Sequence, residues 1–184
     1  MTLPFYLSTI SSNSKDLLFL GGSITINDSS VPMYGTLNLT SGKFTNLNPT
    51  PIVVENWYSY ITSSSYLNGS FYFAGTGWYN GTLKSTLLLS YNPITGKVTN
   101  LSSMIPAGYQ INVFSFKNKV GIIIDTSTGP EFLVYDPATG TMSNYSYLLT
   151  DAGLAYTNFA GSQNGITYFA GNNIVYVNQS TMKA

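Results

Sequence analysis

The chain has 184 residues, with seven lysines, no arginine and seven Asp or Glu side chains, so its formal net charge is +0, and it contains neither histidine nor cysteine. Those absences exclude imidazole bases, thiol nucleophiles, zinc centres built on nitrogen and sulfur, and haem or iron–sulfur ligation through cysteine, leaving oxygen atoms as metal ligands. Seven scattered lysines give no basic footprint for neutralising phosphates, so nucleic acid is not expected as a partner.

The first unit, residues 1–51, opens on an inner strand over residues 4–11, with Asp16 at the tip of the first hairpin. Phe19-Leu20-Gly21-Gly22 ends the second strand, residues 26–31 form a loop, and Leu37 to Leu47 turn through Gly42. The second unit, residues 52–106, is the clearest. A Tyr-, Ile-, Thr- and Ser-rich strand over residues 57–67 closes on Asn68-Gly69, the pair that supplies positive φ for a type I′ hairpin. Residues 71–75 are its second strand, residues 76–84 a Gly- and Asn-bearing loop, and residues 85–91 the third strand. Asn92-Pro93-Ile94-Thr95-Gly96 then turns the chain into a fourth strand over residues 97–101, with proline preset for an early turn position and glycine for the left-handed one.

The third unit, residues 107–150, places its first turn at Asn118-Lys119, its second strand at Val120-Gly121-Ile122-Ile123-Ile124, a loop over residues 125–130 and a last turn at Gly140. The fourth, residues 151–184, starts near Ala155, turns at Asn164-Gly165, carries Tyr168-Phe169-Ala170-Gly171 and reaches its third strand at residues 174–177. Met182, Lys183 and Ala184 stand where a fourth strand is expected. Gly42, Gly96 and Gly140 recur at intervals of 54 and 44 residues, and no segment has a 3.6-residue apolar period, so almost no helix is expected.

Repeated units of four antiparallel strands joined by short turns are the signature of β-propeller blades. The expected fold is therefore all-β, with four four-stranded repeats of which the last lacks its outer strand. An incomplete last blade leaves an exposed edge, so the sequence reads as part of a larger propeller or as a sheet completed by another copy or another chain, in preference to a single self-closed four-bladed propeller.

Tyr91-Asn92-Pro93-Ile94-Thr95-Gly96 and Tyr135-Asp136-Pro137-Ala138-Thr139-Gly140 resemble the turn between third and fourth strands of kelch-type propeller repeats, and Gly21-Gly22 resembles their double glycine. Ala74-Gly75 and Ala170-Gly171 stand in the double-glycine position of two other units, and Phe44, Val98 and Met142 stand where the family carries tryptophan. The resemblance implies propeller architecture and no particular activity.

Charged residues make up 8% of the chain, against roughly a quarter in an ordinary soluble domain, while 43% hydrophobic residues suffice for a core. The surface is then built from hydroxyls and amides, which suits an extracellular, cell-surface or virion-surface location, and a carboxylate-poor chain loses little on acidification. This composition resembles that of secreted or surface proteins of acid-loving thermophilic archaea and their viruses. No apolar run of membrane-spanning length occurs, so no membrane span is expected. No signal-peptide pattern opens the chain, so secretion requires a leader already removed or a longer parent sequence.

Candidate site residues follow from chemistry. Asn27, Asn38, Asn68, Asn80, Asn100, Asn144 and Asn178 head the seven Asn-x-Ser/Thr triplets and are the glycosylation candidates; a chain this rich in these residues yields about four or five by chance, so the motif is barely enriched. Trp78 and Tyr79, in the expected loop over residues 76–84, and Asp125, in the corresponding loop of the third unit, are the ligand-binding candidates, as a platform for a sugar ring or a protein partner. Trp57 and Tyr58 read as packing between blades. Asp136 reads as a turn residue bonding nearby backbone, and no calcium-loop spacing occurs, so no metal, cofactor or catalytic residue is assigned. The expected function is a non-catalytic recognition or structural module binding protein or glycan through its loops. Two alternatives are a glycan-processing enzyme using paired carboxylates and tyrosines, and an assembly subunit of a surface layer or filament pairing through its open sheet edge.

Overall fold

The computed structural model describes residues 7–26, 29–46, 58–79, 82–150, 153 and 157–184. Among them the chain is all-β apart from one helical turn, α1 (Tyr147–Thr150), and a 3₁₀ turn at Ser102–Met104. It forms four antiparallel sheets in succession. The first holds β1 (Leu7–Ser12), β2 (Asp16–Ile26), β3 (Ser29–Asn38) and β4 (Phe44–Asn46). The second holds β5 (Tyr58–Leu67), β6 (Ser70–Tyr79), β7 (Thr82–Asn92) and β8 (Lys97–Asn100). The third holds β9 (Gln110–Phe116), β10 (Lys119–Thr126), β11 (Gly129–Asp136) and β12 (Thr141–Asn144). The fourth has three strands, β13 (Asn158–Gln163), β14 (Ile166–Ala170) and β15 (Ile174–Asn178). Strands adjacent in sequence are adjacent in every sheet, and no sheet closes on itself.

The inner hairpins turn on pairs of left-handed residues: Asn68 and Gly69 at φ 47 and 84, Lys117 and Asn118 at 49 and 57, Asn164 and Gly165 at 51 and 75. Two successive positive φ values match the right-handed twist of the flanking strands. The second of these turns, Lys117-Asn118, lies one residue before the expected Asn118-Lys119, because Lys119 is already in β10, paired with Phe116. Its ammonium reaches Asp136 at the far end of β11, 2.8 Å away. Asp16 is likewise the first residue of β2 and not a hairpin tip; Asn13 Oδ1 accepts the Lys15 and Asp16 N–H groups across that turn.

The turns from third to fourth strand share one construction. Gly42, Gly96 and Gly140, at φ 68, 70 and 69, donate their N–H groups to the carbonyls of Asn38, Asn92 and Asp136. The side-chain oxygens of those three residues accept N–H groups two or three residues on, from Ser41, from Ile94 and Thr95, and from Ala138. The fourth unit has the same turn, which the sequence reading missed. Asn178 Oδ1 accepts from Ser180 and Thr181, Met182 takes the left-handed position at φ 53, and Lys183 bridges back to Asn178. Methionine at the place of glycine hid it.

The expected loop over residues 76–84 is mostly strand. β6 runs on to Tyr79 and β7 begins at Thr82, and the corresponding connection of the third sheet is reduced to Ser127-Thr128, between Thr126 and Gly129. Polar, glycine-bearing sequence looked like loop, but ladder hydrogen bonds join backbones and continue past weakly apolar side chains, with one register shift at Gly77/Trp78 absorbing the irregularity.

Alternation along each strand divides every sheet into two faces. In the second sheet Phe71, Phe73, Leu89 and Tyr91 form a front cluster, and Tyr91 meets Thr36 of the first sheet. On its back face Tyr72, Ala74 and Leu88 pack with Ile111, Val113, Val120, Ile122 and Leu133 of the third. The third sheet's own back face, Phe114, Phe116, Ile123, Phe132 and Val134, packs with Phe169, Val175 and Val177 of the fourth. Phe114 and Phe159 stack there with centroids 4.2 Å apart and planes 4° apart, and Gly121 leaves the space that the Phe114 ring occupies. Each such side chain contributes roughly 1.5–3 kcal/mol when fully buried.

The first strands of consecutive sheets lie side by side, β1 on β5, β5 on β9 and β9 on β13. Polar side chains join them: Thr62 Oγ1 donates to the Ile111 carbonyl at 3.2 Å, Ser63 Oγ accepts the Val113 N–H at 2.9 Å, and Asn68 Nδ2 donates to the Asn118 carbonyl at 3.3 Å.

Candidate functional site

Asp125 lies near the end of β10, where the ladder narrows to its two-residue connection. Its carbonyl accepts the Tyr109 N–H at 2.8 Å, and its Oδ1 accepts the Thr157 N–H at 3.0 Å. Burial pushes the carboxyl above its ordinary value, and the Thr157 N–H pulls it partly back. Among the described residues no cation pairs with Asp125, and a half-buried carboxylate compensated by one backbone N–H is a candidate for a functional group.

The segment leading into β9 passes close over β10. A Cβ on Gly108 would collide with Ile124 Cγ2 and come 2.8 Å from the Asp125 carbonyl oxygen, so only glycine fits. The Gly108 N–H is tied to Thr86 Oγ1 of the second sheet at 2.7 Å. This passage sets Tyr109, 54% exposed, and Gln110 beside Asp125. Gln110 is held by Asn158 Oδ1, which also accepts from Asn112 Nδ2 at 3.4 Å.

Between this segment and the hairpin tip lies a groove of about 670 Å³, walled by Tyr109, Gln110, Asp125, Thr126, Ser127 and Thr128 and floored by Gly129 and Pro130. That volume is in the range of small-ligand sites. The hairpin wall is tied by its own hydrogen bonds: Thr126 Oγ1 donates to the Gly129 carbonyl at 2.7 Å and lies 2.9 Å from the Thr128 hydroxyl. The groove thus offers an aromatic ring, an amide, a carboxylate and several hydroxyls. Sequence reasoning named Asp125 but missed Tyr109, which precedes β9, and Gln110, its first residue, neither of which bears a recognisable motif; Gly108 was the available signal.

Trp78 and Tyr79 lie on β6 at the distal end of the neighbouring hairpin, Trp78 in register with Tyr58 and with Leu83. That hairpin is longer than the one carrying Asp125, and Gly108 is tied to it midway along β7, at Thr86. Trp57 lies outside the described residues.

Among the glycosylation candidates, Asn27 and Asn80 lie outside the described residues, and the side chains of the other five all hydrogen-bond within the chain. Asn38 and Asn178 build the turns given above, with Asn38 Nδ2 donating to Asp16 at 3.2 Å, and Asn68 forms its inner turn. Asn100 and Asn144 end the fourth strands of their sheets and share a device. Each Oδ1 accepts the N–H of the serine two residues on, Ser102 or Ser146, and that serine's hydroxyl accepts an N–H on the third strand, Leu88 at 3.0 Å or Phe132 at 3.1 Å. The triplet therefore caps a sheet edge.

The remaining carboxylates among the described residues lie apart from the groove. Asp16 bonds Asn13 and Asn38, Glu131 pairs across the ladder with Ile124, and Asp136, held below its ordinary value chiefly by the Lys119 ammonium, serves its turn. Asp28, Glu55 and Asp151 lie outside the described residues. Among the described residues, no three acidic side chains gather as a metal site, and no helix is long and apolar enough to cross a membrane. Compared with protein-family models and with curated proteins, the sequence matches none.

Proposed function

We propose that the chain is a non-catalytic recognition module whose sheets are blades of a kelch-like β-propeller, and that it binds a glycan in the groove beside Asp125. The groove carries this reading: an exposed tyrosine ring faces a small hydroxyl- and amide-rich wall with one anchored carboxylate, which is the chemistry that grips a polyhydroxylated ring. Paired carboxylates are what glycoside hydrolysis uses; Asp125 has no second carboxylate among the groove's lining residues, which supports binding over turnover. A surface of hydroxyls and amides with 8% charge supports an external location, where such ligands are displayed.

The test is titration of the folded protein with a panel of neutral and N-acetylated oligosaccharides, followed by ligand-observed NMR. Tyr109→Ala is expected to weaken binding roughly two- to tenfold, corresponding to about 0.5–1.5 kcal/mol of aromatic contact. Absence of binding across the panel by protein with a native spectrum overturns the reading.

A further inference from the structure

The back face of the fourth sheet is built like the back faces that the second and third sheets bury. Counted from the first hairpin of each sheet, Tyr168 holds the position of Tyr72, Ala170 that of Ala74, and Ile174 that of Leu88 in the second sheet and Phe132 in the third. Tyr72 is 4% exposed and Leu88 and Phe132 are 0% exposed, because the next sheet covers them. Tyr168, Tyr176 and Ile174 are 36%, 58% and 76% exposed. The alternation along β15 is clean, with Val175 and Val177 buried toward the third sheet and Ile174 and Tyr176 turned outward. A hollow of about 390 Å³ opens beside Ala160, Tyr168 and Ile174; around Tyr72 and Ala74 of the second sheet the same neighbourhood is filled by Ile111 and Val113 of β9.

We infer that this face docks the first sheet of a second copy of the chain, head to tail. The contact continues a pattern already present twice within the molecule, back face of one sheet on front face of the next. By register, Leu17, Phe19 and Leu37 hold in the first sheet the front-face positions that Phe71, Phe73 and Tyr91 hold in the second. Neither set of positions contains a charged residue, so association buries no unpaired charge. Four sheets from each of two copies make a ring of eight, within the propeller range of about four to eight blades, and two identical head-to-tail contacts close it. The inference rests on the blade arrangement and not on the groove, so failure of the mass test leaves the ligand titration standing.

Light scattering across a wide concentration range is expected to give twice the 20.0 kDa of one chain, falling to a single-chain mass for Ile174→Asp with an unchanged circular dichroism spectrum, since Ile174 is exposed in the single chain. Direction is read by cross-linking. Tyr72 and Tyr135 lie with ring centroids 6.2 Å apart across the second and third sheets, and their counterparts at the new contact are Tyr168 and Leu37. In a chain with no native cysteine, Leu37→Cys/Tyr168→Cys treated with a short bismaleimide is expected to yield a covalent two-chain species, and Tyr168→Cys alone none. A single-chain mass at every concentration, a two-chain mass unaffected by Ile174→Asp, or efficient cross-linking of Tyr168→Cys alone overturns the inference.

Discussion

The Asn-x-Ser triplets at Asn100 and Asn144 are legible either as glycan acceptors or as edge caps, and replacing their parts one at a time separates the two. Ser146 Oγ accepts the Phe132 N–H at 3.1 Å, and Phe132 is 0% exposed. Ser146→Ala removes the acceptor and leaves a donor where water does not reach it, which costs about 1–3 kcal/mol. A chain of 150–250 residues loses about 2–4 °C of melting temperature per kcal/mol, so the mid-range cost of about 2 kcal/mol lowers the melting point by roughly 4–8 °C. Asn144→Asp abolishes the triplet as an acceptor of glycan but keeps an oxygen for the Ser146 N–H at an exposed position, so its effect stays within about 0.5 kcal/mol. The assay is thermal unfolding by circular dichroism of protein made in cells without N-glycosylation, with Ser102→Ala and Asn100→Asp as the parallel pair. The reasoning is refuted if Ser146→Ala melts with the wild type, or if Asn144→Asp melts as low as Ser146→Ala.

Gly108→Ala is expected to push the segment carrying Tyr109 off β10, because its Cβ meets Ile124 and the Asp125 carbonyl; ligand affinity falls as it does in Tyr109→Ala, and both Tyr109 and Asp125 amide signals shift in NMR. Asp125→Asn keeps an acceptor for the Thr157 N–H. A carboxyl whose folded pKa is raised favours the folded state while protonated, so its stabilising contribution is full below the ordinary value and is lost as pH rises through the raised one. Asp125→Asn is therefore expected to melt with the wild type in acid and at or above it near neutral pH, a gap that opens with rising pH in parallel melts. Asp136 has the opposite sign: held low by Lys119, it stabilises above its ordinary value and loses that contribution as pH falls through the lowered one, so Lys119→Met flattens the acid side of the melting profile. Phe132→Ala, at the centre of the aromatic cluster between third and fourth sheets, is expected to cost about 3–5 kcal/mol in denaturant unfolding.

Turn chemistry carried most of what the sequence disclosed. Asn68-Gly69, Asn164-Gly165 and the glycines at 42, 96 and 140 each sit at the left-handed positions that the residue types imply, and four sheets follow from them. Strand lengths were less legible, because Thr76, Gly77 and Thr86 carry a ladder without advertising it through apolar alternation. The fourth unit's last turn was hidden by Met182, whose side chain packs against the aromatic cluster while its backbone accepts the left-handed strain. The site was half legible. Asp125 stood out as the acidic residue of the expected loop over residues 125–130, whereas Tyr109 belongs to the groove only because Gly108 lets one segment cross another, a relation between distant residues that no local pattern encodes.

The low charge and the abundance of Ser, Thr and Asn have one physical explanation in this fold. Second and third sheets are apolar on both faces, as parallel sheets usually are and antiparallel ones seldom are, so polar residues are displaced to strand ends, turns and the inner strands. There they meet backbone groups that no ladder partner satisfies: the Leu88 and Phe132 N–H groups at the outer edge, the Val113 N–H and Ile111 carbonyl between inner strands, and the turn N–H groups taken by Asn38, Asn92 and Asn178, with Asp136 doing the same as a carboxylate neutralised by Lys119. A neutral hydroxyl or amide satisfies such a group without the desolvation cost that a full charge carries at a half-buried position. Asp125 departs from this rule, as a carboxylate raised by burial at a place where an asparagine would serve the Thr157 N–H equally well, and its neighbours form a ligand-sized groove. The same rule applied to the fourth sheet picks out the outward row of Tyr168, Ile174 and Tyr176, where apolar side chains stand on a face that the second and third sheets bury.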